Sequence, residues 1–546
     1  MTTEHKLLQF LTAACLFTTA AAQSTPGAAL RLLKVGNQQF VAGHDSRSPL
    51  DPGRQRTLAQ GQHPFAVVLC CTDSRVSPEH VFNTDLGDLF VVRIAGNVLS
   101  SEALASVEYA AEHLGCKLCV VLSHEGCGAI AESTLRAAEA RDGQPTATAS
   151  PALEQLLRAI EPAAQQALDE VGDSQFLNHH AERNHARNTA LECLRRSELL
   201  RRLHELGNFD VRPARYRLET GKVDWLPTRP LPSETSPRLD RPSASSPTVP
   251  PHAALRLLQA GHRRFLNRSQ PLGDISRDKR KVLSAAQKPL AVVLSCADSR
   301  VVPERIFDSD LGDLCVVRMA GNVLTDEVLA SIELAVTQGG APLLVVMGHS
   351  LCETLELSLE HPAKDWRTPH QRALQEALDP VIAASRLKAT RSRDLVDLAA
   401  RANVRRSIEQ ARARSTVLQQ LEAQGLFSMI PALYDLQSGD LQWLSDEATR
   451  HAHPLPIAET QAVAQTQAPP TTQSPRKASP APAPGAAKLE PKPQPTRKAR
   501  KPRASKRLAP APAQLREGTN HLAMLIGAIG IASLLGGLWM ALRKQD

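Results

Sequence analysis

The chain has 546 residues and a formal net charge of +8 at pH 7, so it is long enough for two or three domains. Residues 452–515 hold eleven Lys and Arg residues against two Glu residues, which leaves the rest of the chain nearly neutral. This distribution excludes a basic nucleic-acid-binding domain in the folded part, and we expect no nucleic-acid partner.

The N-terminal segment has the pattern of a secretory signal peptide. Residues 1–22 contain Lys6, then an apolar stretch, then three alanines before Gln23. These are the charged region, the hydrophobic region and the small-residue cleavage site of such a signal. An amphipathic helix that precedes the first domain is the alternative, because Gln9 and several threonines interrupt the apolar stretch.

The chain then contains two copies of one domain. Residues 28–33 recur as residues 253–258, an offset of 225. A period of this size indicates duplicated domains and not a solenoid. We define repeat 1 as residues 27–226 and repeat 2 as residues 251–445, joined by a linker rich in Pro and Ser at 227–250.

Within each copy, short apolar runs alternate with helical patterns. In repeat 1, residues 65–69, 89–94 and 118–122 are rich in Val and Leu, as in parallel strands that are buried on both faces. Residues 30–40 and 102–113 have helical periodicity. This alternation predicts an α/β fold in which a mostly parallel sheet is flanked by helices. Ligands bind at the carboxyl ends of the strands in such sheets.

Two further segments follow repeat 2. Residues 446–520 are rich in Ala, Pro and Lys, which predicts a disordered linker. Its composition favours a solvated spacer over a site for an anionic polymer or membrane surface. Residues 522–542 are uncharged and mostly apolar, long enough to cross a membrane as a helix. The signal-like N-terminus favours domains on the periplasmic or extracytoplasmic side, whereas basic residues beside the helix favour a cytoplasmic-facing orientation.

One pattern of metal-binding residues occurs in both copies. A Cys-x-Asp-x-Arg motif precedes a His-x-x-Cys motif, and the histidine comes 53 residues after the first cysteine in each copy. The members are Cys71, Asp73, Arg75, His124 and Cys127 in repeat 1, and Cys296, Asp298, Arg300, His349 and Cys352 in repeat 2. Two thiolates and one imidazole are a ligand set of catalytic zinc, which keeps a fourth position open. Core cysteines with a structural ion pair are the alternative, but they do not explain why all five positions recur.

Together with these motifs, residues 36–40, 73–79 and 95–98 resemble the β-class carbonic anhydrases, and the resemblance covers nearly all of both repeats. It implies two tandem β-carbonic-anhydrase-like domains packed as an intrachain pseudo-dimer, and it leaves open a further homo-oligomer. It also implies one Zn²⁺ per repeat, two per chain. The ligands would be Cys71, His124 and Cys127 for one ion and Cys296, His349 and Cys352 for the other.

The reaction implied by this resemblance is the reversible hydration of CO2 to bicarbonate and a proton. The nucleophile would be a zinc-bound hydroxide. Asp73 would orient it, and Arg75 would hold Asp73 through a charge-assisted contact. Asp298 and Arg300 would repeat these roles. Two alternatives stay open: hydrolysis of carbonyl sulfide or CS2 at the same site, and a catalytically decayed, membrane-tethered zinc scaffold.

The resemblance also assigns substrate-binding positions. These are Gln62, Phe90, Tyr109 and Gly128 in repeat 1 and Gln287 in repeat 2. Repeat 2 has Cys315, Leu334 and Glu353 at the other three positions. A glycine after the last zinc ligand lets the backbone approach bicarbonate, whereas the Glu353 carboxylate repels that anion. We therefore expect the first site to be active and the second to bind zinc but turn over poorly. This ranking depends on the interface, because family dimers build each pocket across it.

Three histidines lie in a polar stretch after these motifs. His179, His180 and His185 suit proton transfer, since imidazole titrates near neutral pH. The polar composition of the stretch favours exposed histidines without a catalytic role.

Overall fold

The structure is a computed structural model that describes residues 25–44, 52–144, 150–227, 249–267, 274–361, 366–387 and 392–444. The signal-like segment, most of the linker between the repeats, and the segments 446–520 and 522–542 lie outside the described residues. The predictions made for those segments stay predictions. Among the helices of the described ranges, none combines the length and the apolar character that a membrane span requires.

The apolar runs of repeat 1 form short strands. The strands are β1 (Ala66–Cys70), β2 (Leu89–Arg93), β3 (Leu118–His124), β4 (Asp210–Tyr216) and β5 (Val223–Trp225). The described helices are α1 (Pro26–Val41), α2 (Pro52–Leu58), α3 (Pro78–Val81), α4 (Ser101–Glu112), α5 (Gly128–Arg141), α6 (Pro151–Val171), α7 (Leu177–Arg196) and α8 (Glu198–Glu205). Every residue of β1, β2 and β3 is buried, as expected for strands covered by helices on both faces.

Repeat 2 has the same order of elements. Its strands are β6 (Ala291–Cys296), β7 (Leu314–Met319), β8 (Leu343–His349), β9 (Ser428–Tyr434) and β10 (Leu441–Trp443). Its described helices are α9 (Pro251–Asn267), α10 (Arg277–Ala285), α11 (Pro303–Ile306), α12 (Asp326–Thr337), α13 (Glu353–Glu360), α14 (Pro369–Arg386), α15 (Ser392–Arg414) and α16 (Thr416–Ala423). Short 3₁₀ turns at Ala95–Asn97 and Ala320–Asn322 follow β2 and β7.

Local residue choice explains where several helices begin. Thr25, Ser150 and Thr368 are N-caps whose side-chain oxygens accept a backbone N–H of the first turn. Each of these caps is followed by proline at the start of the helix, where the missing N–H costs nothing. The helix boundaries are therefore largely encoded locally.

The two repeats share one ten-stranded sheet. Its strand order is β10-β9-β8-β6-β7-β2-β1-β3-β4-β5. The four inner strands of each repeat are parallel to one another, and β5 and β10 are antiparallel edge strands. The repeats meet where β2 pairs antiparallel with β7, through Arg93 opposite Arg318. A pseudo-twofold axis thus passes between these two arginines.

The hydrophobic core also crosses from one repeat to the other. On one face of the sheet, a single cluster contains Val67 and Leu69 of β1 together with Val292 and Leu294 of β6. On that face α6 packs against α12, and α14 packs against α4, so helices of each repeat cover the other. The opposite face has a separate cluster for each repeat. The predicted α/β fold, with two tandem domains packed as an intrachain pseudo-dimer, is confirmed.

Two reciprocal ion pairs lie at the centre of this interface. Arg93 Nη1 is 2.5 Å from Glu304 Oε1, and Arg318 Nη1 is 2.5 Å from Glu79 Oε1. Both arginines are fully buried. Arg93 also donates to the backbone oxygen of Cys71 at 3.1 Å, so the interface is tied to the predicted metal ligand. A charged side chain that is buried away from water is stabilised only while its oppositely charged partner is present.

Replacing Glu304 with Gln should therefore destabilise the chain, because Arg93 would be left buried without its counter-charge. Removal of one partner of a buried ion pair costs about 3–5 kcal/mol, and we expect a loss of that size in the free energy of unfolding measured with urea. Glu192→Gln is the control, since Glu192 pairs with Arg195 on the surface at 2.6 Å. Exposed pairs contribute less than about 1 kcal/mol. Equal losses in the two variants would contradict a central role for the buried pair.

Candidate metal centres

Three ligand-type side chains meet at the carboxyl ends of β1 and β3. Cys71 follows β1, His124 is the last residue of β3, and Cys127 is the N-cap of α5. Because β1 and β3 pair directly, their carboxyl ends lie side by side. The ligand atoms of the three residues lie within 4.8 Å of one another, and the two Sγ atoms are 3.9 Å apart. The predicted ligands of repeat 1 are thus brought together.

The same cluster forms in repeat 2. Cys296 ends β6, His349 ends β8, and Cys352 is the N-cap of α13. The strands β6 and β8 are paired neighbours, as β1 and β3 are. The three ligand atoms again lie within 4.8 Å of one another, and all three residues are buried. Both predicted ligand sets therefore have the geometry of a shared metal site.

A 3₁₀ turn behind each cluster directs a backbone N–H at the first cysteine. Gly96 N donates to Cys71 Sγ, and Gly321 N donates to Cys296 Sγ, both at 3.3 Å. Both glycines have a φ of +64°, and a Cβ on Gly96 would lie 2.7 Å from Ile160. Only glycine suits this conformation and this space. The hydrogen bond stabilises negative charge on the sulfur, as a thiolate ligand needs.

Each buried imidazole keeps one nitrogen unpaired. Nδ1 of His124 lies 3.0 Å from the Glu125 backbone oxygen, and Nδ1 of His349 lies 3.0 Å from that of Ser350. Their Nε2 atoms are buried and have no hydrogen-bond partner among the described residues. Such an atom costs about 1–3 kcal/mol unless something else satisfies it. A metal ion would do so, and two thiolates with one imidazole fit Zn²⁺ at both clusters.

One thiol in each cluster is predisposed to ionise. The hydrogen bond with Cys127 holds the pKa of Cys71 well below its ordinary value, against the effect of burial and with help from His124. Burial raises the pKa of Cys296, but the neighbouring Cys352 thiol and His349 imidazole outweigh it and lower that pKa overall. The thiolate is the metal-binding form of cysteine, so this supports the fit to zinc.

The predicted Asp–Arg pairs lie beside the clusters. Arg75 donates through Nε to Asp73 Oδ1 at 2.8 Å and through Nη2 to Oδ2 at 2.6 Å. Asp298 and Arg300 repeat this contact at 2.9 and 2.6 Å. Burial alone would raise the pKa of Asp73, but the Arg75 guanidinium holds it well below its ordinary value. The carboxylate is therefore ionised at neutral pH.

Each carboxylate is close to the metal ligands without being one of them. Oδ2 of Asp73 lies 3.9 Å from Nε2 of His124, the nitrogen without a partner. Arg75 also donates to the Gly126 backbone oxygen at 3.1 Å, in the loop between the histidine and Cys127. The guanidinium thus fixes the carboxylate relative to the ligand loop. A proton acceptor is held beside the open side of the cluster.

A glutamine from the other repeat completes each Asp–Arg pair. Gln287 Nε2 donates to Asp73 Oδ2 at 3.0 Å, and its Oε1 accepts from Ser74 N at 3.1 Å. In the reciprocal contact, Gln62 Nε2 donates to Asp298 Oδ2 at 2.9 Å. Neither site is complete within its own repeat.

This exchange divides the predicted substrate-binding residues of repeat 1, Gln62, Phe90, Tyr109 and Gly128, between the two sites. Tyr109 Oη is 3.3 Å from Glu353 Oε2, and the Tyr109 ring packs on Phe90 with centroids 6.0 Å apart. Gln62, Phe90 and Tyr109 therefore lie at the site of repeat 2, whereas Gly128 lies at the site of repeat 1. They are divided because the pairing of β2 with β7 carries one half of each pocket across the pseudo-twofold axis.

The site of repeat 1 receives the corresponding residues of repeat 2. Cys315 stands there at the position that Phe90 has in the second site. Burial raises the pKa of the Cys315 thiol, and the nearby charges of Asp73 and Cys71 raise it further. Leu334 stands at the position of Tyr109 on α12. The first pocket thus has neither an aromatic ring nor a phenol hydroxyl at these two positions, whereas the second has both.

Sequence reasoning missed Gln338, which follows α12 and lies over Gly128. Its Oε1 is 3.0 Å from the point where a Cβ on Gly128 would stand. A side chain at position 128 would therefore press against Gln338 of the other repeat as well as narrow the pocket. No motif marks Gln338, so only the interface reveals it.

A buried ion pair supports the ligand loop of repeat 1. Arg215 Nε donates to Glu182 Oε2 at 2.8 Å, and Glu182 Oε1 accepts from Gly126 N at 2.8 Å. Repeat 2 has Ala400 in place of Glu182 and Leu351 in place of Gly126. Leu351 has a φ of +54°, a conformation that costs a residue with a side chain about 1–2 kcal/mol. The ligand loop of repeat 2 therefore has the same left-handed backbone conformation but lacks the buried glutamate contact that supports the loop of repeat 1.

Two of the three histidines of α7, His179 and His185, are buried, whereas His180 is partly buried with its Nδ1 3.0 Å from Glu170 Oε2. Burial lowers the pKa of His179 to about 3 and that of His185 to about 4. Both are therefore neutral near pH 7, which disfavours proton transfer by them. His185 hydrogen-bonds to the Gly96 backbone, and Asn403 Nδ2 donates to Gly321 O at 2.7 Å in repeat 2. These residues position the 3₁₀ turns behind the clusters.

Comparisons with known proteins agree with this geometry. A family model described as carbonic anhydrase matches residues 66–223 and 291–441, one segment in each repeat and together more than half of the chain. The chain is 47% identical over 107 residues to carbonic anhydrase 2 of Mycobacterium tuberculosis, an alignment that covers 20% of this chain and 52% of that protein. It is 30% identical over 198 residues to a carbonic anhydrase of Pseudomonas aeruginosa, covering 34% of this chain and 86% of that protein.

The chain spans about half the length of the mycobacterial relative. Among solved structures, the β-carbonic anhydrase CcaA is 25% identical with a TM-score of 0.28, and the match covers 36% of this chain and 98% of that one. Both repeats carry a matched segment with a Cys-His-Cys cluster. The chain therefore belongs to the carbonic anhydrase family, as two tandem domains of its β-class.

Proposed function

We propose that this chain catalyses the reversible hydration of CO2 to bicarbonate and a proton, with Zn²⁺ at the cluster of repeat 1. One observation carries the proposal. The ionised carboxylate of Asp73 is held 3.9 Å from the unpartnered Nε2 of His124, inside a set of zinc-type ligands. Hydration of CO2 needs a Lewis acid with a fixed proton acceptor beside it.

A zinc ion held by Cys71, His124 and Cys127 would supply the Lewis acidity that makes water nucleophilic near neutral pH. The two thiolates neutralise its formal charge, which makes orientation of the attacking water more important. Asp73 provides that orientation by accepting a hydrogen bond from the water. Arg75 and Gln287 fix the carboxylate while it does so.

The second cluster would bind zinc with the same ligand set, but its pocket differs. Gly128 follows the last ligand of the first site, whereas Glu353 follows that of the second. A carboxylate at this position opposes an anionic product. We therefore assign turnover to the site that contains Cys71.

Serine in place of one ligand cysteine tests this assignment. We expect Cys71→Ser to lose about one zinc per chain and nearly all CO2 hydration, because serine is a poor ligand for zinc. Cys296→Ser should also lose about one zinc per chain but keep most of the activity. Stopped-flow CO2 hydration and metal analysis give both results. Full activity in Cys71→Ser would contradict the assignment, and no activity in the zinc-loaded chain would refute the proposed function.

The exchange of glutamines between repeats gives a second test. Gln287 belongs to repeat 2 but donates to Asp73, so Gln287→Leu should lower kcat about tenfold, as expected for the loss of one hydrogen bond to a charged group. Gln62→Leu is the matched change at the other site and should cause a smaller loss. Comparable kcat losses would show that both sites turn over.

We also propose, from the sequence alone, that residues 522–542 anchor the folded repeats at a membrane. The signal-like segment 1–22 supports an extracytoplasmic position for the repeats. In cells whose outer barrier has been made permeable, added protease should then degrade the repeats while the inner membrane is intact. Degradation only after the inner membrane is disrupted would place the repeats in the cytoplasm.

A further inference from the structure

Glu353 makes three polar contacts inside the second site. It is the first residue of α13 and occupies the position that Gly128 holds in α5. Its Oε1 lies 3.1 Å from Nη2 of Arg300. Its Oε2 accepts from Nε2 of Gln62 at 3.2 Å and from Oη of Tyr109 at 3.3 Å. Two of these three donors belong to the other repeat.

The Glu353 carboxylate contacts the buried Asp–Arg pair and borders an open cavity. This cavity has a volume of about 700 Å³, and its lining includes Arg300, Glu353, Glu356 and Val396. The side chain of Glu353 is 25% exposed, whereas that of Arg300 is 2% exposed. A small molecule in the cavity therefore meets the more exposed Glu353 carboxylate beside the Arg300 guanidinium, whereas Asp298 is not part of the lining.

The three donors form a pattern that recognises a small oxyanion. A guanidinium, an amide N–H and a phenol O–H converge on the two oxygens of one carboxylate, and charge-assisted contacts of this kind are strong. Bicarbonate presents a similar pair of oxygens on one carbon. While Glu353 engages these donors, an incoming bicarbonate finds them occupied and meets a like charge.

We propose that Glu353 is an internal occupant of the anion-binding position of the second site, and that it excludes bicarbonate while the metal ligands stay intact. This inference rests on the proposed function, since it concerns the product of that reaction. In the first site Gly128 leaves the same position open. Repeat 2 then serves mainly as the half that supplies Gln287 and Gln338 to the site of repeat 1.

The test uses the full chain with Cys71→Ser, in which only the second cluster retains all three zinc ligands. Bicarbonate binding to the zinc-loaded protein is measured by titration calorimetry, and CO2 hydration by stopped flow. Glu353→Gly in this background should tighten bicarbonate binding at least tenfold and raise hydration at least tenfold. Glu353→Gln should have a smaller effect in the same direction, because it removes the charge but keeps the side chain.

Glu356→Gln is the matched control. Glu356 is exposed and lines the same cavity three residues further along α13. Its replacement therefore removes the same negative charge from the cavity, but at a position away from the three donors. Bicarbonate binding in this variant should stay at the level of the Cys71→Ser chain. An equal gain from Glu356→Gln and Glu353→Gln would overturn the proposal, because it would show a general charge effect.

Two further results would overturn it. One is unchanged bicarbonate binding in Glu353→Gly with zinc content retained. The other is bicarbonate binding by the Cys71→Ser chain that is already as tight as that of Glu353→Gly. Failure of the proposed function is a separate result, namely no CO2 hydration by the zinc-loaded unmodified chain. Bicarbonate binding measured by calorimetry tests the role of Glu353 whether or not the chain hydrates CO2.

Discussion

The antiparallel contact between β2 and β7 is the constraint on which the rest of the structure depends. Arg93 and Arg318 face each other there, and each is fully buried and neutralised by a glutamate of the other repeat, Glu304 or Glu79. Because a buried guanidinium is costly without its counter-charge, neither repeat can bury this strand alone. Arg93 also binds the backbone oxygen of Cys71, so the interface and the metal ligands share one set of contacts.

Joining two such domains in one chain allows their sites to diverge. Each pocket takes its metal ligands from one repeat and its glutamine from the other. In a dimer of identical subunits, every substitution appears in both sites by symmetry. Here Glu353 and Tyr109 affect only the second site, whereas Leu334 stands on the repeat that completes the first. A change that would disable both sites of a homodimer disables one site here.

The two ligand loops show how much of the second site is retained. Leu351 keeps the left-handed conformation of Gly126, and Arg300 still donates to the Leu351 backbone oxygen at 3.2 Å. The Glu182 contact that supports the first loop has no equivalent at Ala400. Repeat 2 thus preserves the contacts that repeat 1 requires from it, and its own site is supported less well.

The amino-acid sequence by itself determined the strands, the two ligand sets and the two Asp–Arg pairs. These features are local, because a short apolar run predicts a strand and the residues just after it must lie at the carboxyl end. The direction of the pKa shift at Asp73 also follows from a partner only two residues away. Even the asymmetry between the repeats is visible as Gly128 against Glu353.

Only the tertiary structure decided which repeat lines which pocket. Gln62 and Asp298 are 236 positions apart, and nothing in their local sequence joins them. Gln338 and the buried His185 likewise carry no motif, since their roles come from neighbours on other elements. The physical reason is that the pockets cross a pseudo-twofold axis set by one pair of strands. Periodicity along the chain encodes the strands, but not the partner that each edge strand of a repeat will meet.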